Sequence, residues 1–513
     1  MGSDQPAGAV RGGKRSRLRV GVALLSAAAA LAVAMSAEGI EPGTGRRPSA
    51  GQGPAAVSVW IAAGRPAAPV PRGFLGLSFE LSRAGQIGSY ADTGNLAALL
   101  RSLGPGVLRL GGASADTRVA WTDAHTPRPA WASAALTVGD LRRLRRLALD
   151  SGWRVLLTLG LAHYDPRAAA RETAAARAVL GRWLAGIEVG NEPDSYARHN
   201  LRSLPWTPSR YERQVSAYRR AIAHLAPGIP LAGPGVSGSS AFLRWGAAEA
   251  RRQRPALLTG HHYPLRCDSI PAPSIETLLS EHTRQREGAS LGRFLSVSRA
   301  HATRFRMDET NTVSCGGKAG ISDTFASALW AVSYITQAMA ASASGINLQG
   351  NPDNCTGYSP LCATSPQRLA RGVLHAQPEW YALLLTSALV GDRPLRTSMV
   401  SQAHPNVVVR ALRASDGGLH VVVVEDDPPS ASSVALRVHV GAGARTATVL
   451  TLSAPSQQAR AGVTLGGRAV AGDGSWRAPR PRPVSVRGGV VELTVAPSSA
   501  ALVSVAPGAR AGG

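Results

Sequence analysis

The order of apolar and polar positions divides the chain into two regimes. In the first, short and nearly continuous apolar runs lie at residues 74–80, 107–110, 154–159, 186–190, 229–233, 257–262, 304–308 and 344–348. Segments with helical spacing stand between them. Leu96, Leu99, Leu100 and Leu103 form one such stripe; Leu141, Leu144 and Leu147 form another, stopped at Gly152, a suitable C-terminal cap. Residues 211–224, 325–341 (with Trp330 and Tyr334) and 380–385 read as further helices. Strands apolar on both faces and alternating with helices are what a buried parallel sheet requires. From about residue 397 the grammar changes. Strand-like runs at 406–412, 419–424, 434–440, 447–452 and 490–495 are separated by Gly, Pro and Ser turns, the pattern of an antiparallel β-sandwich. A short strand at 57–62 precedes the first regime, a Pro/Arg loop occupies 477–483, and 349–367 is a polar loop long enough to predict a function.

Two glutamates stand at the ends of these runs. Glu192 closes Gly186-Ile-Glu-Val-Gly-Asn-Glu-Pro-Asp194, and Glu309 closes Arg304-Phe-Arg-Met-Asp-Glu309, 117 positions later. Three β/α units of an eightfold barrel span roughly 100–120 residues, so the two carboxyls are predicted at the ends of strands 4 and 7, on one rim. Retaining glycosidases need such a pair, one member as acid and then base, the other as nucleophile. Glu192 is read as the acid/base, whose proton an ionised carboxylate opposite would help retain. Glu309 is read as the nucleophile. Alternation places Met307 and Glu309 on one strand face and Asp308 on the other. It likewise pairs His261 with Tyr263, predicted to face the site: Tyr263 to hydrogen-bond Glu309, His261 to touch substrate. Neighbouring strand residues face opposite ways, so His261 and His262 do not read as a metal pair, and no metal or other cofactor is expected.

Five pieces in order, Gly76-Leu-Ser-Phe-Glu80, Leu108-Arg-Leu-Gly-Gly112, Glu188-Val-Gly-Asn-Glu-Pro-Asp194, His261-His-Tyr263 and Met307-Asp-Glu309, resemble glycoside hydrolase family 79, the β-glucuronidase and heparanase family, within the clan of retaining barrel glycosidases. The resemblance covers about residues 55–508. It implies a (β/α)8 TIM barrel at 67–395, a C-terminal antiparallel β-sandwich at 396–508, and a strand at 56–66 that joins the sandwich. It implies that Asn191 contacts the sugar 2-hydroxyl, that Glu80 binds ring hydroxyls, and that Tyr358, in the loop after strand 8, holds a uronic carboxylate. An ion pair with Arg83 or Arg109 is the plain alternative for Glu80. Where the family carries a polar residue after the strand 2 glycines this chain has Ala113, so Ser114 is the remaining candidate contact there. The function implied is hydrolysis of β-linked glycosides, foremost β-D-glucuronides. The alternatives are a neutral-sugar β-glycosidase of the same clan and a catalytically silent carbohydrate-binding protein.

Composition adds compartment and partner. At 513 residues with 44% hydrophobic content the chain can bury a real core. The formal charge is +24, and only Lys14 and Lys318 are lysines. Coding bias accounts for this arginine excess; attraction to a uronic-acid polymer or an anionic surface is the functional alternative. Nothing resembles a zinc finger, helix-turn-helix or RNA-binding signature, so nucleic acid is not an expected partner. A basic segment, an apolar run from Val20 to Ala37 and small residues after it read as a secretory signal over 1–37, with an uncleaved membrane anchor as the alternative. Residues 38–55 read as a linker and 509–513 as a tail. Four cysteines allow three pairings. Cys267 and Cys315 fall on neighbouring rim loops, and Cys355 and Cys362 bracket Tyr358. The pairs expected are therefore Cys267–Cys315 and Cys355–Cys362, in an exported protein.

Overall fold

The computed structural model describes residues 55–62 and 64–507. The signal or anchor at 1–37, the linker up to its last residue, and the tail at 509–513 lie outside the described residues. Eight strands close into a barrel: β1 (Leu75–Glu80), β2 (Val107–Gly111), β3 (Arg154–Leu159), β4 (Leu184–Val189), β5 (Leu231–Val236), β6 (Leu257–His262), β7 (Phe305–Thr310) and β8 (Gly345–Gln349). They pair in chain order, each parallel to its neighbours, and β8 returns to β1. Leu108, Leu110, Val155 and Leu157 are fully buried, as strands covered by helices demand. β5 runs three residues past the expected end, because Gly233-Pro-Gly, which reads as a turn, continues as strand with a register shift between Pro234 and Val236. The helix Val138–Ser151 shows the local logic: Thr137 and Asp140 form a reciprocal N-terminal capping box, and Gly152 (φ 78°) closes it in the left-handed conformation.

The C-terminal half forms two facing sheets. One orders Thr397–Ser401, Ala55–Ile61, Val434–His439, Val490–Val495 and Val486–Arg487. Ala55–Ile61, from before the barrel, lies parallel to Val434–His439 and antiparallel to Thr397–Ser401, so a segment that precedes the barrel completes this sheet. The other sheet contains Val407–Arg413, Leu419–Glu425, Ser499–Val505 and Ala447–Ser453. The run Val421-Val-Val-Val424 is apolar on both faces for a reason: Val421 and Val423 enter the sandwich core, whereas Val422 and Val424 join the core shared with the barrel. That second face covers the helices Phe325–Ala340 and Pro378–Ser387, which explains why nearly every residue of both is buried. Arg284, on the helix Glu281–Ala300, ties the halves together through Asp426 (2.9 Å) and Asn406. Ser499–Val505 is central in its sheet, pairing with Leu419–Glu425 and Ala447–Ser453, yet its small Ala and Ser residues hid it from the periodicity reading. Among the described residues no helix is long and apolar enough to cross a membrane.

Candidate active site

An arginine organises the barrel mouth. β2 places Leu108 and Leu110 against the surrounding helices and turns Arg109 inward, where it is fully buried. Gly111 follows on the same face; a Cβ there would meet the Arg109 guanidinium at 2.8 Å. Arg109 donates to Glu188 Oε2 (3.0 Å), to Glu309 Oε2 (2.8 Å), to Asn191 Oδ1 (2.9 Å) and to Ser78 Oγ (3.1 Å). Its Nη2 also lies 3.2 Å from His261 Nε2. An arginine carries five donors in a fixed fork and stays charged when buried, so one residue serves four acceptors, Ser78, Glu188, Asn191 and Glu309. Its carboxylate neighbours hold it charged against the cost of burial.

Glu188 takes the deepest position. Thr158 (2.8 Å) and Thr259 (2.6 Å) donate to it besides Arg109. Burial pushes its pKa up, but Arg109 and His261 outweigh burial and hold it at about 2. Asp308 corrects the alternation argument. The β7 register shifts between Met307 and Glu309 against β6 and between Met307 and Thr310 against β8, and this bulge turns consecutive carboxyls to the same centre. Asp308 is fully buried with Oδ2 2.9 Å from Arg109 Nε, though not aligned for a hydrogen bond. Burial and the charge of Glu188 drive its pKa well above the ordinary value, against the charges of Arg109 and His261.

Above this layer the two expected carboxyls converge. One ligand atom from each of Glu192, His261 and Glu309 lies within 4.8 Å of the other two. Glu192 sits in the left-handed region (φ 48°), uncommon for a non-glycine residue; its N–H donates to Gly235 O (2.9 Å) and its carbonyl accepts from Ser195 (2.8 Å). Its side chain is 26% exposed, against 10% for Glu309, so Glu192 faces the opening more openly. Tyr263 donates to Glu309 Oε1 (2.9 Å). Burial raises the pKa of Glu309, but the charges of His261 and Arg109 and the Tyr263 hydrogen bond win, so it is lowered and the group is ionised. His261 does not face the open cleft, as the sequence reading had it. Its ring is fully buried, with Nδ1 3.0 Å from Glu192 Oε1, because the strand end delivers it between the carboxyls. Burial lowers its pKa, the charge of Glu309 and the Glu192 hydrogen bond raise it, Arg109 opposes them, and the result is about 9. His262 faces the other way, toward Ser290 and Glu287. The Glu192, His261, Glu309 trio has metal-ligand chemistry, but Arg109 already supplies a fixed cation at 2.8 Å from Glu309, so a metal ion there would meet like-charge repulsion.

A cavity of about 380 Å³ opens beside the pair, lined by Glu80, Ser114, Gly316, Asn351, Asn354 and Tyr358 among others. Glu80 accepts from the Ser114 backbone N–H (2.8 Å). It pairs with neither Arg83, which binds Asp353, nor Arg109. Gly112 (φ 71°) permits this approach, since a Cβ would collide with the Glu80 carboxyl. Ser114 is buried and its hydroxyl accepts from the Ser82 N–H (3.1 Å), so it positions Glu80. Asn191 spends its carbonyl oxygen on Arg109, leaving its amide N–H groups for a ligand. Tyr358 OH lies 3.4 Å from Tyr263 OH, and its N–H donates to Gly316 O (3.2 Å). Both expected disulfides form, Cys267–Cys315 and Cys355–Cys362, on either side of that contact. Asp116, passed over in sequence, binds the N–H groups of Asn191, Leu161 and Ala162 and the Tyr196 hydroxyl, and so clamps three rim loops.

Residues 411–502 match the glycosyl hydrolase family 79 C-terminal beta domain. The C-terminal domain of this chain is that of glycoside hydrolase family 79. This bears out the family recognised from the motifs. No curated protein matches the sequence. The structure is similar to a 4-O-alpha-L-rhamnosyl-beta-D-glucuronidase from Fusarium oxysporum 12S (TM-score 0.69, 18% identity, covering 87% of this chain and 100% of that one). It is also similar to the GH51 arabinofuranosidase from Xanthomonas axonopodis pv. citri (TM-score 0.64, 14% identity, 88% and 100% covered) and the alpha-L-arabinofuranosidase from Thermotoga maritima (0.63, 16%, 87% and 99%). At these identities the likeness is one of fold: the barrel with its β-sandwich is common to them all. The match to the family 79 C-terminal domain and the shared barrel fold together support a glycosidase.

Proposed function

We propose that this glycosidase is an exported, retaining enzyme that hydrolyses β-D-glucuronides. The observation that carries the reading is the convergence of Glu192 and Glu309, with oxygens no more than 4.8 Å apart. Double displacement requires carboxyls about 5–5.5 Å apart, whereas inversion needs about 6.5–9.5 Å to admit a water. Glu309, ionised and held by Arg109 and Tyr263, attacks the anomeric carbon as the leaving oxygen takes a proton from Glu192. The bond to the leaving group breaks as the glycosyl ester forms. Water, deprotonated by Glu192, then attacks the same carbon and releases Glu309. Asn191 and Glu80 take sugar hydroxyls. The Tyr358 hydroxyl, in the wall of the cavity that Glu80 also lines, suits a carboxylate, and this supports a uronide as the sugar. The two disulfides fit an oxidising compartment, as the basic and apolar N-terminal segment predicts.

The test is a panel of aryl β-glycosides together with a glucuronic-acid-configured cyclitol that traps a competent nucleophile. The expected result is turnover of the glucuronide above the glucoside, xyloside and galactoside, with one label, on Glu309. Glu309→Ala should lose at least about three orders of magnitude in kcat. Labelling elsewhere, or near-normal turnover by that variant, removes the mechanism; preference for a neutral glycoside removes the uronide assignment alone.

A further inference from the structure

A second cavity, of about 370 Å³, lies on the far side of the short helix Ser114–Thr117 from the one that holds Glu80. Its walls come from the excursion after β2 and from the loop and helix after β3. Trp121, Trp131, Pro127 and Pro129 supply apolar surface, and His163 stacks on Trp131 with ring centres 3.7 Å apart. Glu172, from the helix Pro166–Leu180, also lines it. Its side chain is buried, it has no hydrogen-bond partner among the described residues, and burial pushes its pKa to about 8. A carboxyl in that setting is uncharged at neutral pH and donates one hydrogen bond.

Among the remaining polar groups of the wall, several are already hydrogen-bonded, while the His125 and His163 rings and the Nη atoms of Arg171 are not, among the described residues. Asp165 caps its helix by accepting from Arg167 and Ala168, and Trp121 Nε1 donates to Asp123. Thr126 accepts from Arg171, and Asp116 serves four donors. A pyranose would bring several hydroxyls with few partners left for them, and the one arginine of the wall, Arg171, already spends its Nε on Thr126. A flat, uncharged ring with one or two oxygens uses what is available: apolar faces beside Trp121 and Trp131, and the free Glu172 carboxyl for an oxygen. The volume is within the range of small-molecule sites.

We propose that this cavity binds an uncharged aryl group of phenol type, either the aglycone of a glycoside held in the catalytic cavity or a free phenol. The aglycone arm rests on the glycosidase reading; the free-phenol arm does not. Asp116 lines the cavity and holds the N–H of Asn191, beside Glu192, so the site abuts the loop that carries the proposed acid.

The test uses the full-length protein and 4-methoxyphenol, measured at pH 6.5 by calorimetry and tryptophan quenching. Saturable one-site binding is expected, weakened about three- to tenfold by Trp131→Ala and by Glu172→Leu. Trp131 is partly exposed and its loss spares the core; unchanged circular dichroism checks this. Binding should survive in Glu309→Gln, so failure of the catalytic assignment leaves this result standing. The two sources separate in steady-state kinetics. An aglycone site predicts that Trp131→Ala raises KM for phenyl but not methyl β-glucuronide; a free-phenol site predicts no change in either KM with loss of phenol binding. No saturable binding, or binding that both variants leave intact, overturns the proposal.

Discussion

Arg109 Nη1 lies 2.8 Å from Glu309 Oε2 at the barrel mouth, where Arg109 is fully buried and Glu309 keeps 10% side-chain exposure. The same guanidinium holds Glu188 and Asn191, so a single fixed cation orients the carboxyl proposed as nucleophile, the charge beneath it, and the amide beside the proposed acid. Arg109→Met would leave Glu188 buried and uncompensated, a loss of about 3–5 kcal/mol. Arg109→Lys keeps the charge but not the fork, and should fold while losing about two orders of magnitude in kcat. Chemical denaturation of the first variant and glucuronide kinetics of the second check the pair.

Asp308 and Glu309 are adjacent, yet their pKa values are shifted in opposite directions. Burial and Glu188 disfavour the charged form of Asp308. Asparagine has the shape of the uncharged form. Asp308→Asn should therefore stay within about threefold of the parent in kcat, whereas Glu309→Gln should be nearly inactive. Equal losses in the two variants would mean that Asp308 is charged.

This carboxyl pair also marks how far the sequence could be read. The alternating β/α pattern, the Asn191-Glu192-Pro193 turn and the 117-residue spacing located the rim because each is a local regularity of a barrel. Asp308 was assigned to the wrong face because alternation assumes an even register, and a bulge is invisible without the partner strand. Arg109 was seen only as a partner for Glu80, although an arginine between two leucines on a strand buried on both faces is itself a signal. A charge there must have a counter-charge within the barrel, and Glu188, with the same placement on β4, is its complement. The second cavity draws on loops after two different strands, and only the fold brings Trp131 to His163.

His261 gives a pH prediction. Its pKa is raised from an unfolded value near 6.5 to about 9. Its stabilisation is thus complete below about 6.5 and is lost as pH rises through about 9. Glu309 works in the other direction: its pKa is lowered, so its contribution is present above the ordinary carboxylate range and is lost as pH falls through the lowered value. Melting temperature should therefore fall on both sides of neutrality. In His261→Gln the alkaline step near pH 9 should disappear and the acid step should shrink, since the His261 charge is the largest cause that lowers Glu309. A melting profile over pH 3–10.5 on both proteins reads this; an alkaline step of the same size in the variant would assign it to another group.

The Cys355–Cys362 bridge encloses Gly357 and Tyr358, and Tyr358 is held to Gly316, the neighbour of the bridged Cys315. Two covalent clips thus order one wall of the catalytic cavity before a ligand arrives, which reduces the ordering cost of binding. Cys355→Ser with Cys362→Ser should raise KM for an aryl glucuronide roughly three- to tenfold and change kcat little, since neither residue touches the reacting carboxyls. A drop in kcat with constant KM would show that the loop acts in the chemical step.

The family 79 domain is fastened to the barrel through a buried charge. Arg284 donates to Asp426 Oδ2 at 2.9 Å and to Asn406, with Asp426 almost wholly buried. Burial raises the Asp426 pKa and Arg284 lowers it, with a result of about 7. Arg284→Ala therefore removes the group that favours the charged form and leaves an acid that must take up a proton, so the cost should grow as pH rises. A loss of about 3 kcal/mol is expected at pH 8 and less at pH 5.5, read by denaturant unfolding. Because the second face of the sandwich sheet packs on the helices Phe325–Ala340 and Pro378–Ser387, barrel and sandwich should still unfold in one transition. If the variant instead showed two transitions, Arg284 rather than the apolar face would be what couples them.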